Sequence, residues 1–165
     1  MGIFAPRYVF RSRWELASPP SDVFDALYDL ANYPGWWPQV RAVHRFDEDH
    51  HKMVVRSFLP YEIDYTLIRE TSDRAQGLLR GRVEGDIVGT IEWRINPSPS
   101  GCVAYFFEDV ETTLEVLNLL APVARWMFEF NHQLMMRDGH LGLSAYVSGR
   151  TLADRAPGTR AERRM

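Results

Sequence analysis

The chain has 165 residues, 45% hydrophobic and 13% aromatic, which suits one domain with a full core and excludes a disordered chain. A net charge of −3 supplies no basic field to gather nucleic acid, and the single cysteine, Cys102, excludes an internal disulfide framework and fits a reducing compartment. No run approaches the roughly 18 apolar residues of a membrane span, and the opening MGIFAPRYVFRSRW has no apolar signal core, so a cytoplasmic location is expected.

The first element, Tyr8–Leu16, alternates Tyr8, Phe10, Ser12, Trp14 and Leu16 against Val9, Arg11, Arg13 and Glu15, which predicts a half-buried strand. Ser18-Pro19-Pro20 reads as a capped helix start. Val23–Asn32 then places Val23, Phe24, Leu27, Leu30 and Ala31 on one side of a short helix. Asn32-Tyr33-Pro34-Gly35 breaks it, and Trp36-Trp37-Pro38 follows. Strand-like runs come next: Val40–Phe46, Met53–Leu59, Tyr61–Glu70, Gly77–Glu84, Ile87–Ile95 and Cys102–Thr113. Between them lie turn sequences such as Asp47–Lys52, Thr71–Ala75 and Asn96–Gly101. Six strands joined by short turns, after the first, predict a seven-stranded antiparallel meander.

The closing stretch, Leu119–Arg150, predicts one long helix that the sheet wraps, with Pro122 in its first turn. Leu120, Val123, Met127, Phe130, Leu134, Leu141 and Ala145 form one apolar stripe, expected to face the sheet. Arg125, Glu129, His132, Gln133, Met136, His140 and Ser144 fall opposite. The tail, residues 151–165, is basic and poor in apolar residues, and is expected to be disordered. The domain is thus expected over residues 1–150.

Polar residues on inward faces are the chemical candidates. Asn131 and Asp138 interrupt the stripe about 20° apart. Each has a plain structural reading beside the functional one: a satisfied core amide for Asn131, and a carboxylate at the sheet edge for Asp138. Tyr61 and Tyr65 share one strand face, and Trp93 alternates with Ile91 and Ile95 on another. On Cys102–Thr113 two registers are open. Either Ala104, Phe106, Glu108 and Val110 point inward, or Tyr105, Phe107 and Asp109 do. Trp36 and Trp37 either anchor their turn to the core or line an entrance. His50-His51 sits in a charged turn where adjacent side chains diverge, so no metal site is expected. Gly85-x-x-x-Gly89 lacks the strand-to-helix context of a phosphate loop, and no cofactor is expected.

Two stretches resemble a known family. SPPSDVFDALYDLANYPGWWPQV (Ser18–Val40) is similar to the opening of the START-like, or SRPBCC, superfamily. LLAPVARWMFEFNHQLMMRDGHLGL (Leu119–Leu143) resembles the closing helix of its bacterial polyketide cyclase/dehydrase-like subset, through Asn131-His132, Met136-Arg137, Gly139 and Gly142. Asp138 departs from that subset, which tends to be aromatic there. The resemblance implies an α+β helix-grip fold, like START lipid-transfer domains and the pollen-allergen Bet v family. It implies binding of a hydrophobic small molecule, lipid- or polyketide-like, between sheet and helix. Trp37, Tyr61, Tyr65, Trp93, Phe106, Glu108, Met127, Phe130, Asn131 and Leu134 are the candidate lining. An aromatase/cyclase or dehydratase is the alternative, with Glu108, Tyr65 and Asp138 as candidate proton-transfer groups. A protein-interaction module with a filled core is a third. No residue pattern sets the oligomeric state.

Overall fold

The computed structural model describes residues 6–58, 61–114 and 121–155. Ten residues open the sheet as β1 (Arg7–Leu16), and Pro20 then begins α1 (Pro20–Tyr28). The cap position of α1 is Pro19 and no side chain caps it, so Ser18, which is buried, does not play the capping role its sequence suggests. A 3-10 segment, Leu30–Gly35, carries the chain to Trp36 and Trp37. The meander follows as β2 (Val40–Arg45), β3 (His50–Val55), β4 (Ile63–Asp73), β5 (Leu78–Gly85), β6 (Ile87–Ser98) and β7 (Gly101–Thr112). The closing helix α2 spans Ala121–Arg155.

The sheet order is β1-β7-β6-β5-β4-β3-β2, with antiparallel pairing throughout. Strands adjacent in sequence are adjacent in space, and only β1 reaches across to pair with the last strand. Alternation along β1 holds as read from its residues: Tyr8, Trp14 and Leu16 are buried, while Val9, Arg11, Arg13 and Glu15 are exposed. The open question on β7 is decided by packing. Ala104, Phe106, Glu108 and Val110 are buried, and Asp109 lies on the outer face paired with Arg7. Outer-face charges pair across neighbouring strands, as in Lys52–Asp64 and Arg82–Glu70.

The rotation of α2 differs from the sequence expectation. Its buried residues are Phe128, Asn131, Met136, Gly139, Leu143 and Val147. At about 100° per residue this face lies roughly 150° from the apolar stripe. Of that stripe, Val123, Phe130 and Leu141 are 52%, 53% and 64% exposed, and Met127 and Leu134 are half-buried. Leu120 lies outside the described residues.

The physical reason is a close approach. A Cβ on Gly139 would stand 2.6 Å from the Trp37 ring, and one on Gly142 would overlap the Trp36 carbonyl oxygen. The indole N–H of Trp37 donates to the Met135 carbonyl at 2.9 Å. Two glycines and one hydrogen bond therefore fix which face meets the core, and hydropathy alone gives glycine no such weight. The helix also runs to Arg155, five residues into the stretch expected as a tail; residues 156–165 lie outside the described residues.

Gly142→Ala should lower stability by more than the ~1 kcal/mol that alanine normally adds to a helix, because the new methyl group has no room. Gly149→Ala, with open space around it, should leave stability unchanged or raise it. Urea unfolding of the two variants side by side checks the contrast.

Candidate functional site

Between the inner face of the sheet and α2 the core is hollow. The hollow measures about 150 Å³ and opens on one side to solvent. A volume near 150 Å³ is about what a benzene-sized molecule fills. The hollow has two sources. Ile63, Tyr65 and Leu67 of β4 and Ile91 of β6 point inward yet remain only partly buried. The facing turns of α2 offer Asn131 and His132 where a filled core would carry large apolar side chains.

The wall is apolar apart from a few placed groups. Glu108 Oε2 and His132 Nε2 lie 3.1 Å apart, with side chains 10% and 14% exposed. The register that turns Phe106 inward also turns Glu108 inward, two residues on. A lone buried carboxylate would cost several kcal/mol; His132 supplies its partner. The imidazole is held flat against Phe10, with ring centroids 3.8 Å apart, and flanked by Phe106 at 5.9 Å. A carboxylate joined to an imidazole can hold one proton in two positions, and the stacked rings keep the second partner from turning away.

Tyr65 lines the same cavity from β4. Burial, and then the Glu108 charge, raise its pKa above the usual tyrosine value, so it stays a neutral O–H donor. Asn131 is buried beside His132. Its Nδ2 reaches only the Met135 sulfur, at 3.6 Å, and its Oδ1 has no partner among the described residues. At the α1 end, the Tyr33 hydroxyl donates to the Leu27 carbonyl at 2.8 Å. There Arg69 donates to the Tyr28 and Glu48 carbonyls and stacks 3.9 Å from the Tyr28 ring. These backbone bonds tie the guanidinium down at one end of the cavity.

Of the residues singled out by sequence, Trp37, Tyr65, Trp93, Phe106, Glu108 and Asn131 share the cavity wall. Met127, Phe130 and Leu134 do not, because α2 is rotated and carries them away from the sheet. Tyr61 also falls outside the wall: β4 begins at Ile63, and the Tyr61 ring packs beside a smaller cluster with Ile63 and Phe128, its hydroxyl buried with no partner among the described residues. Asp138 accepts from Gln39 at 2.8 Å and pairs with Arg137, off the cavity wall, which removes it from the proton-transfer candidates. His132, Phe10 and Arg69 are the residues that sequence reasoning missed. His132 was visible only as half of the Asn131-His132 pair, since the helical wheel set it on the polar side.

His50 bonds Asp47 at 2.9 Å, while its neighbour His51 is buried on the other face of β3. Among the described residues no three His, Cys, Asp or Glu side chains gather as a metal site. A second recess near Asp25, Asp29, Arg45 and His51 measures about 470 Å³ but is polar and set apart from the Glu108–His132 pair.

An antiparallel sheet gripping a long C-terminal helix over an apolar hollow is the START-like helix-grip architecture. The chain belongs to the family described as polyketide cyclase / dehydrase and lipid transport, whose model matches residues 16–131. Among solved structures it is similar to the ZhuI aromatase/cyclase from Streptomyces sp. R1128, with a TM-score of 0.78 and 16% identity over 92% of this chain and 99% of that one. A START superfamily protein from Mycobacterium smegmatis matches at 0.65 and 15%, over 87% and 98% of the two chains. A norcoclaurine synthase from Thalictrum flavum matches at 0.61 and 15%, over 89% and 98%. These identities speak to the fold alone. No curated protein matches the sequence.

Tyr33 and Tyr65 both have pKa values raised chiefly by burial. In the unfolded chain a tyrosine ionises near pH 10, so above about pH 10 the unfolded state sheds protons that the folded state keeps. Stability should therefore fall as pH rises past that point. Tyr65→Phe should remove part of the fall, read as a shallower loss of urea midpoint between about pH 9 and pH 11.

Proposed function

We propose that this chain binds a hydrophobic, ring-bearing small molecule, lipid- or polyketide-like, in the cavity between the sheet and α2. One observation carries the reading: an apolar hollow whose wall holds a small, localised polar group. Ligand sites have this composition, apolar for affinity with a few polar atoms for orientation. Trp93, Phe106 and Trp37 supply the aromatic wall, and Tyr65, Asn131 and Glu108 the polar end. The hollow speaks against an interaction module with a filled core. The hollow suits one ring, and a longer ligand extends out through its open side. A cytoplasmic setting fits the single buried thiol of Cys102. Among the described residues no helix is long and apolar enough to cross a membrane.

A second reading, a cyclase or dehydratase, is favoured by one specific feature. The Glu108–His132 pair and the neutral Tyr65 hydroxyl share the cavity with any ligand. Tyr65 would donate a hydrogen bond to a ligand carbonyl oxygen. The pair would take a proton from the adjacent carbon and return it to a departing hydroxyl, which leaves as water. The aromatase/cyclase and the synthase among the structural neighbours make this chemistry reasonable for the fold. The pair and Tyr65 would do the work with no added cofactor.

Thermal unfolding with a panel of one- to three-ring aromatics, sterols and fatty acids tests the binding reading. A ligand at 100 times its Kd adds about 2.7 kcal/mol, and at least one ring compound should raise Tm accordingly. Trp93→Ala should change which sizes bind, by enlarging the hollow. No shift with any apolar compound defeats the reading. For the second reading, Tyr65→Phe and Glu108→Gln should lower dehydration of a bound β-hydroxy ketone by about 10²-fold or more, with affinity nearly intact.

A further inference from the structure

The polar recess at the α1 end holds cations that no carboxylate answers. It measures about 470 Å³ and lies between the end of α1 and the turn after β2. Its formal charges balance: Arg45, Arg69 and Arg150 stand against Asp25, Asp29 and Glu48. Its pairing does not. Asp25 is taken by Arg74, which lies outside the recess and engages both carboxylate oxygens. Asp29 accepts from the Asn32 amide at 2.5 Å. The Arg69 side chain donates to the Tyr28 and Glu48 carbonyls at 2.8 and 3.0 Å, and Arg45 donates to the Asp47 carbonyl at 3.0 Å. Among the described residues neither guanidinium has a carboxylate within ion-pair distance, and each keeps N–H groups to spare. Arg69 is also held in place, 3.9 Å over the Tyr28 ring, so a ligand would not have to order it.

His51 belongs to the same wall. It is 4% exposed, and its Nδ1 has no partner among the described residues. Burial, and then the Arg69 charge, hold its pKa below the ordinary histidine value, and Arg45 acts in the same direction. Both guanidinium charges are therefore felt at one imidazole. Buried polar atoms normally have partners. An unpartnered ring nitrogen beside two unanswered cations is a place prepared for negatively charged oxygen. We propose that this recess binds an oxyanion, a phosphoryl or carboxylate group seated between Arg45 and Arg69 beside His51. The guanidinium fork matches either group, with two N–H donors to two oxygens.

A cation fits the recess less well. Two of its three acids are engaged already, and among the described residues no three His, Cys, Asp or Glu side chains gather as a metal site. Glu48 is the remaining acid, and it is exposed. Its charge opposes an anion, which moderates affinity and gives the site a signed test. Tyr28, Leu30 and Arg69 line the recess on one side and the apolar hollow on the other, so the two spaces share a wall. The oxyanion site stands on its own residues and does not require that the hollow hold a guest.

Calorimetric titration of the full chain with inorganic phosphate and with acetate, in Tris buffer with chloride holding the ionic strength constant, should show saturable, single-site binding of at least one. Arg45→Gln should weaken that binding about tenfold, the usual worth of a hydrogen bond to a charged group. Glu48→Gln should tighten it, because a like charge leaves the site. Arg13→Gln, on the outer face of β1, should leave it unchanged. Arg69→Gln should abolish binding, but it also removes the ties to the Tyr28 and Glu48 carbonyls, so the Arg45 and Glu48 variants decide. In NMR spectra the His51 ring signals should move with added anion while those of His132 and His140 stay. Phosphate binding without acetate identifies a phosphoryl group, and the reverse identifies a carboxylate. No saturable binding of either anion overturns the proposal. Binding indifferent to both Arg45→Gln and Glu48→Gln, or one that leaves the His51 signals in place, overturns it equally.

Discussion

The contact between the Trp36-Trp37 turn and the glycines of α2 sets the geometry of everything else. Gly139 and Gly142 let the helix come against the Trp37 ring and the Trp36 backbone more closely than any side chain would allow. The Trp37–Met135 hydrogen bond then fixes the helix in rotation as well as in distance. Trp14 joins the contact from β1, edge-on to Trp37 at 5.7 Å, so sheet, turn and helix meet at one aromatic junction. Buried aromatic rings of this kind dominate core energetics. Once α2 is seated here, Asn131, His132 and Met135, one to two turns toward its N-terminus, are left facing the sheet.

That seating explains why the interior is hollow instead of packed. Near the junction the rings of Trp14, Trp36, Trp37 and Trp93 fill the space between helix and sheet. Toward the N-terminal half of α2 the helix presents an amide and an imidazole, and the sheet answers with Tyr65, Ile91 and Glu108. Polar groups in such a place demand partners. Glu108 and His132 find each other, and Tyr65 and the Asn131 amide oxygen are left to the cavity and its contents. A site with these properties can orient a ligand by one end and can support proton transfer at that end; the same few residues serve both readings of the function.

The long helix is thus asked to satisfy two surfaces. Its inner face is poor in large apolar side chains because it must leave room, and because its glycines must let the tryptophans approach. Its outer face carries the regular apolar stripe that a solitary helix in water would avoid. A single helix with small and polar residues inside and Val123, Phe130 and Leu141 outside inverts the usual pattern. The inversion on the inner side follows if the inside is built to hold a guest.

What the sequence determined by itself was the order of elements and most of the sheet. Period-two alternation along β1, β4 and β6 identified inward residues such as Trp14, Tyr65 and Trp93, because a strand's two faces are separated by parity alone. The Pro- and Gly-rich breaks placed the turns to within a few residues, and the Ser18–Val40 and Leu119–Leu143 stretches pointed to the fold family. The register of β7 was open, since both of its parities are apolar in part; only the pairing with β1 and β6 decided that Glu108 faces inward and Asp109 outward. The rotation of α2 was misread for a physical reason. A hydropathy wheel weighs side chains by their aversion to water, while the seat of this helix depends on the absence of side chains at Gly139 and Gly142. With the rotation went the site: Met127, Phe130 and Leu134 moved out, and His132, which reads as polar surface, moved in to meet a carboxylate from a strand 24 residues earlier. Such a pairing leaves no trace in local pattern, because it exists only where two elements distant in sequence are brought to one wall.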